Sequence, residues 1–368
     1  MTLSLDAHLC NVVSHLPVRD AARTGALSHR WRVLWRATPL SHRWRVLWRA
    51  TPLSHRWRVL WRATPLALDD AHLPPVSARM TFLALAELLG HLADKGVEDL
   101  TLVNRPFSFD VPVQHPVTLL RCGVSLRRLY LGVRLFRFTT DLPRGPDVFP
   151  NLQELGLCHD ITEERDLEYV LACSPKLETL ALISNYGYPD RVRVGSRSLR
   201  CVLLWHSLAD EVAVVSAPSL QRLIIYYTHT SEADGVIKVK IGHAPQLAVL
   251  GYLDTATHQL EIGNTIIKAG VTNVCPNTVL PSVKVLALKV HFRVPKEVRT
   301  LLCFLICFPG VETLHIMASN NDTDHYDDPG EVKPGDKLNF TFWKGVGPIK
   351  CLKSRVKKLV FDHPIQSS

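Results

Sequence analysis

A chain of 368 residues, 46% apolar and 21% charged, can bury a large core, which excludes global disorder. No apolar run approaches the ~18 residues of a membrane span, and Met1–Leu16 lacks the unbroken apolar stretch of a signal peptide. The net charge is +9, and nine dispersed cysteines without a C-x-x-C suit a reducing compartment better than a disulfide framework. The expected location is therefore intracellular, cytoplasm and/or nucleus, with no membrane partner.

In chain order, Leu5, Leu9, Val12, Val13 and Leu16 form a helical stripe that Pro17 ends. Val18–Leu27 is predicted as a second short helix and Ser28–Arg36 as a third, capped by Ser28 and stopped at Thr38-Pro39. Trp31, Leu34 and Trp35 fall on one face of that third helix. Three helices within residues 1–40 make a small all-α unit that would gain stability from a partner. Such a stripe alone is more often a plain core than a docking face.

The string His15-Leu-Pro-Val-Arg-Asp-Ala-Ala-Arg-Thr-Gly-Ala-Leu-Ser-His-Arg-Trp-Arg-Val-Leu-Trp-Arg-Ala-Thr-Pro-Leu40 closely resembles the F-box of the plant F-box/leucine-rich-repeat family. The resemblance implies docking onto a Skp-type adaptor of a cullin-RING (SCF) ubiquitin ligase. By position it implies that Leu9, Val13, Leu16, Pro17, Val18, Leu27, Trp31, Leu34 and Trp35 face the adaptor. The family's opening Leu-Pro is missing here, and His8 stands where that family has an aliphatic residue.

Ser-His-Arg-Trp-Arg-Val-Leu-Trp-Arg-Ala-Thr-Pro-Leu then occurs three times without a gap, at 28–40, 41–53 and 54–66. The three copies hold nine arginines and six of the eight tryptophans. Removing two copies would leave a net charge of +3 (9 − 6), so the basic balance reflects a tandem duplication. A Trp/Arg platform could bind nucleic acid. Identity between the copies favours instead a duplication with no selected role, so nucleic acid is not the expected partner. Residues 41–66 are read as two extra copies of the third helix, and 67–96 as a connecting helical segment.

From about residue 97 to 318 the pattern [P/S]-x-L-x-x-L-x-L recurs. Its leading residues are Leu126, Leu152, Leu177, Leu199, Leu220, Leu247, Val283 and Val311. The steps are 26, 25, 22, 21, 27, 36 and 28, most of them within the ~20–29 of a leucine-rich repeat. The long step contains Leu260-Glu-Ile-Gly, an expected extra strand. Glu163–Cys173 and Lys296–Phe308 are expected helical returns, the second placing Cys303 and Cys307 on one core-facing side. Strand alternation points the paired leucines inward. The intervening residues then form a concave, target-facing surface: Arg128, Tyr130, Glu154, Gly156, Thr179, Ala181, Arg222, Lys284 and His315. The asparagine many repeats carry after the strand is approximated by Cys158 and Asn185 but not by Trp205 or Tyr227.

Residues 319–368 read as an acidic loop followed by a truncated C-terminal cap. Asp322–Asp328 lacks the glycine and glutamate of a calcium loop, so a solvated loop is expected. Cys307–Ile316, Trp343, Pro348–Leu352 and Val356–Phe361 resemble the FBD module of the same plant family. There is no G-x-S-x-G, phosphate loop, G-x-G-x-x-G or H-E-x-x-H, so no catalytic centre, cofactor or metal is expected.

The expected fold is thus α/β, an irregular leucine-rich-repeat solenoid with a curved parallel sheet, preceded by a small all-α F-box domain. The expected function is non-catalytic: the resemblance implies a substrate-recognition subunit that joins an unidentified target protein to the ligase. Two alternatives stand beside it. One is a leucine-rich-repeat interaction protein, or decaying paralogue, that no longer joins a ligase. The other is a nucleic-acid binder using the Trp/Arg block.

Overall fold

The computed structural model describes residues 40–41, 66–67, 82–103, 118–132, 135–136, 143–158, 161–162, 164–184, 190–230, 235–263, 265–268, 279–318 and 349–362. The helices expected in 1–40, nearly all of the extra copies in 41–66, Asn185 and the acidic loop lie outside the described residues. The chain divides into two units, Met1–Thr162 with Tyr169–Leu177, and Glu163–Glu168 with Glu178–Ser368.

The first unit opens with a two-residue parallel bridge between β1 (Leu40–Ser41) and β2 (Leu66–Ala67). Helix α1 (Phe82–Lys95) follows, then β3 (Asp99–Val103), the short α2 (Leu119–Cys122) and β4 (Arg128–Gly132). After β5 (Leu135–Phe136) come β6 (Glu154–Cys158) and β7 (Ile161–Thr162), which pairs with β5. β3, β4 and β6 run parallel in matched register, with Leu100, Leu129 and Leu155 buried in one row and Leu102, Leu131 and Leu157 in the next. α2 is tied to α1 where the Cys122 thiol donates to the Leu89 carbonyl at 3.3 Å. Burial pushes the Lys95 ammonium at the end of α1 down to about 8. Helix α3 (Glu164–Cys173) is the first expected helical return, and its Cys173 carbonyl accepts the Phe149 N–H at 3.1 Å.

In the second unit a parallel front sheet runs β8 (Thr179–Ile183), β10 (Cys201–Trp205), β12 (Arg222–Tyr226), β14 (Val249–Asp254), β17 (Val285–Val290), β18 (Thr313–Ala318) and β19 (Lys358–Asp362). Here the structure adds what the periodicity reading did not. The returns between these strands are themselves strands: β9 (Arg191–Gly195), β11 (Glu211–Ser216), β13 (Ile237–His243) and β15 (His258–Ile262). These pair in parallel as a second sheet, and β16 (Thr265–Ile267) closes it antiparallel to β15. β15 is the extra strand expected at Leu260. Between β17 and β18 the return is helical, α4 (Pro295–Cys307), with Cys303 and Cys307 both buried as expected. The last described helix is α5 (Lys350–Ser354), so the segment assigned to the C-terminal cap adds β19 to the ladder.

All eight leading residues are fully buried. A local device places six of them. In Phe149-Pro-Asn-Leu152, Ser174-Pro-Lys-Leu177, Ala217-Pro-Ser-Leu220, Ala244-Pro-Gln-Leu247, Leu280-Pro-Ser-Val283 and Phe308-Pro-Gly-Val311, the leading N–H donates to the carbonyl three residues back. Proline presets the backbone angle of the first turn residue and lacks an N–H that would need a partner there. The turn delivers the chain into the strand with its leading side chain inward.

Candidate target-binding surface

In the first unit the outward-facing positions are largely occupied by one another. Asp99, Arg128 and Glu154 are in register across β3, β4 and β6. The Arg128 fork donates to Asp99 through Nε (2.8 Å to Oδ1) and Nη2 (2.7 Å to Oδ2). That hydrogen bond holds the Asp99 carboxyl below the usual carboxylate range and raises the guanidinium further. Two positions along, the Tyr130 hydroxyl donates to Glu154 Oε2 at 2.6 Å, which with partial burial pushes the phenol up to about 12. Gly156 makes room for this: a Cβ there would stand 2.5 Å from the Tyr130 ring.

In the second unit Thr179, Cys201 and Arg222 share one outward row with Val249, Val285 and Thr313. Arg222 is exposed and makes no ion pair among the described residues. His315 lies in the next outward row, opposite Ala287 and Val360. Lys284 lies outside the row expected for it. It stands one residue ahead of β17, where its N–H donates to the Ala248 carbonyl, and Val285 holds the row position of Thr179 and Arg222. The cause is a register slip in reading Val283-Lys-Val-Leu286, whose apolar Val285 disguises the outward position. Lys284 and Lys357 both lie beside Glu312, at 3.8 and 2.9 Å.

The most distinctive part of this face was missed from the sequence. Three consecutive front strands carry aromatic residues at or near their ends, Trp205, Tyr226 and Tyr252. The Trp205 and Tyr226 rings meet edge-on at 5.9 Å, and Tyr226 meets Tyr252 at 5.0 Å. Trp205 and Tyr226 are directly in register. Tyr252 joins them through a bulge: Leu250 opposes Leu286 but Leu253 opposes Leu288, so Gly251 and Tyr252 share one opposing position. Gly251 has φ +146°, and a Cβ there would collide with the Ala287 carbonyl, so only glycine fits. Trp205 remains 45% exposed despite its size, and Leu203 and Ile224 beside the row are only partly covered. A usable signal existed, since Leu-Leu-Trp205, Ile-Ile-Tyr226 and Val-Leu-Gly-Tyr252 each follow the same leucine motif.

Just past these strands the chain turns. Ser184, His206 and Tyr227 occupy the same turn position with φ of 51°, 50° and 49°. The next residue in the latter two turns inward and replaces the missing asparagine. The buried Ser207 hydroxyl donates to the Leu182 carbonyl at 3.1 Å, and buried Thr228 lies 3.4 Å from His258 Nε2. His258 Nδ1 accepts the Asp254 N–H at 3.1 Å. The neutral ring therefore carries its proton on Nε2 and donates it to Thr228. Burial pushes His258 down to about 4. The equivalent Thr255 donates to Glu297 Oε2 at 2.8 Å, which also accepts the His291 N–H at 2.8 Å. Burial raises the Glu297 carboxyl. Sequence inspection at Trp205 and Tyr227 fell short of Ser207 and Thr228.

Outside these inward groups, the Lys289 ammonium pairs with Asp254 at 2.9 Å and lies 5.8 Å from the Tyr227 ring centre. Among the described residues, no group of three His, Cys, Asp or Glu could hold a metal ion, and no helix is long and apolar enough to cross a membrane. The adaptor-facing residues expected from Leu9 to Trp35 lie outside the described residues.

A stack of parallel strands led by buried leucines, six of the strands entered through the same proline turn, and carrying mixed side chains outward, is a leucine-rich-repeat protein. The family model for the leucine-rich repeats of FBD-associated F-box protein At5g56370 matches residues 85–316, more than half of the chain. The chain belongs to this plant F-box/leucine-rich-repeat/FBD family. Comparison with curated proteins and with solved structures gave no match.

Proposed function

We propose that this chain is the substrate-recognition subunit of an SCF-type cullin-RING ubiquitin ligase, working in the cytoplasm and/or nucleus. Membership of the F-box family carries the reading. Leu9, Val13, Leu16, Pro17, Val18, Leu27, Trp31, Leu34 and Trp35 would hold the Skp-type adaptor. The outward rows of the repeat array would hold a target protein, through the Trp205–Tyr226–Tyr252 run together with Arg222 and His315. Partly exposed aromatic rings and an exposed arginine on one face are the composition that dominates binding energy at protein interfaces. The chain itself supplies no chemistry in this scheme. It needs no cofactor, because ubiquitin transfer belongs to other subunits.

The test is a pull-down of the full chain with a Skp-type adaptor, beside a Leu16→Asp/Pro17→Ala variant. Binding by the former and its loss in the latter is the expected outcome. An intact chain that ignores the adaptor would sink the ligase reading. The tripled segment at 28–66 favours a second reading, in which the repeats bind a target without joining a ligase. Target recovery with no adaptor would support that alternative.

A further inference from the structure

β19 is where the two buried rows of the front sheet come to the surface. Leu286, Leu314 and Leu359 are successive members of one inward row, and Leu288, Ile316 and Phe361 of the next. Exposure along the first is 0%, 2% and 52%, and along the second 0%, 6% and 55%. Phe292, also exposed, has its ring 6.4 Å from that of Phe361. Among the described residues β19 pairs on one side only, with β18. A repeat stack needs its last unit covered, and a strand edge flanked by apolar side chains is a template for another strand.

The sequence of that edge is complementary to itself. When two copies of Lys358-Leu-Val-Phe-Asp362 run antiparallel about Val360, Lys358 faces Asp362 at both ends. Leu359 then faces Phe361, and Val360 faces its own copy. Residues directly opposite point to the same face, so both apolar pairs extend the buried rows and both charge pairs lie outward. Shifting the pairing by two residues sets Lys358 against Val360 or Val360 against Asp362. Parallel in-register pairing sets like charges together. Neither Lys358 nor Asp362 makes an ion pair among the described residues, so both are available. We propose that β19 is a dimerisation strand through which a second copy of this chain completes the sheet, in a two-fold arrangement centred on Val360. Such a contact is isologous and closes on itself, so the β19 edge of each copy is covered. It stands independently of the ligase reading.

Two five-residue strands bury less than the ~1,200 Å² of a standard interface, so the dimer is expected in the micromolar range. Sedimentation of the full chain from about 1 to 100 μM should show a reversible monomer–dimer equilibrium. Lys358→Asp and Asp362→Lys, both on the exposed face, should each weaken the dimer at least tenfold. An equimolar mixture of the two variants should recover it, because each then supplies the charges the other lacks. The double variant should also dimerise. A chain monomeric throughout this range overturns the proposal, whether its own residues or another partner covers the edge. So does a dimer indifferent to both reversals, or a mixture that fails to recover.

Discussion

The outward face of the first unit and that of the second are built on the same strand pattern, yet their side chains are committed differently. In the first, Arg128 is forked onto Asp99 and Tyr130 is bonded to Glu154, so each polar group already has its partner within the sheet. In the second, Trp205 and Tyr226 meet neighbouring rings at the strand ends, and Arg222 has no ion pair among the described residues. A partner approaching the first face must break or share existing bonds. One approaching the second buries aromatic surface that water now covers. The difference teaches that a repeat's outward positions cannot be ranked as contacts by position alone. What each side chain has already bonded decides what it can offer.

The inward rows should not show this contrast. Leu129→Ala in the first unit and Leu223→Ala in the second should each cost about 2–5 kcal/mol in urea unfolding, since both are fully buried. A cost below 1 kcal/mol at either site would mean that its row is not packed as described. The outward rows should separate more clearly in binding. For a target protein once identified by affinity purification, Trp205→Ala should weaken binding by roughly 2 kcal/mol, about thirtyfold. Arg128→Ala should change it less than threefold. The reverse order would break the comparison.

Acid should single out the second unit. His258 is held neutral, so between about pH 6.5 and 4 the folded state binds fewer protons there than the unfolded chain does. Stability should therefore fall with pH through that window, by up to about 1.4 kcal/mol per pH unit. The lowered His229 acts in the same direction, and the raised Glu297 opposes both where the ranges overlap. Thermal melts of His258→Gln should be measurably less pH-dependent than those of the unaltered chain, and equal slopes would remove His258 from the account. The smallest effect is expected at Arg128. Its pair with Asp99 is half exposed and screened by water, so Arg128→Ala should leave the urea midpoint almost unchanged, with any difference shrinking at high salt.

The repeat frame was legible because it is local. The proline turn, the leading leucine and the L-x-L pair are contiguous in sequence, and α3, α4 and β15 followed from spacing alone. The strand returns carried a readable alternation, as in Val192 and Val194 or Ile237, Val239 and Ile241, but short runs between stronger leucine motifs were passed over. The site was less legible because its features are relations between distant residues. Thr228 meets His258 thirty positions on, and Tyr252 reaches its neighbours only through a bulge. Nothing local distinguishes Lys284 from a strand residue, because the valine after it reads as core.

The bridge at the start of the first unit gives the duplicated block a different meaning. Leu40 closes the first copy of the thirteen-residue segment and Leu66 closes the third, and these two equivalent residues lie side by side in parallel. The 26 residues from Ser41 to Leu66 thus leave and re-enter the chain one strand spacing apart, about 4.8 Å, little more than a single residue's step. An insertion whose ends meet can be gained or excised without moving what flanks it. The triplication is in that sense a detour with its exit beside its entrance.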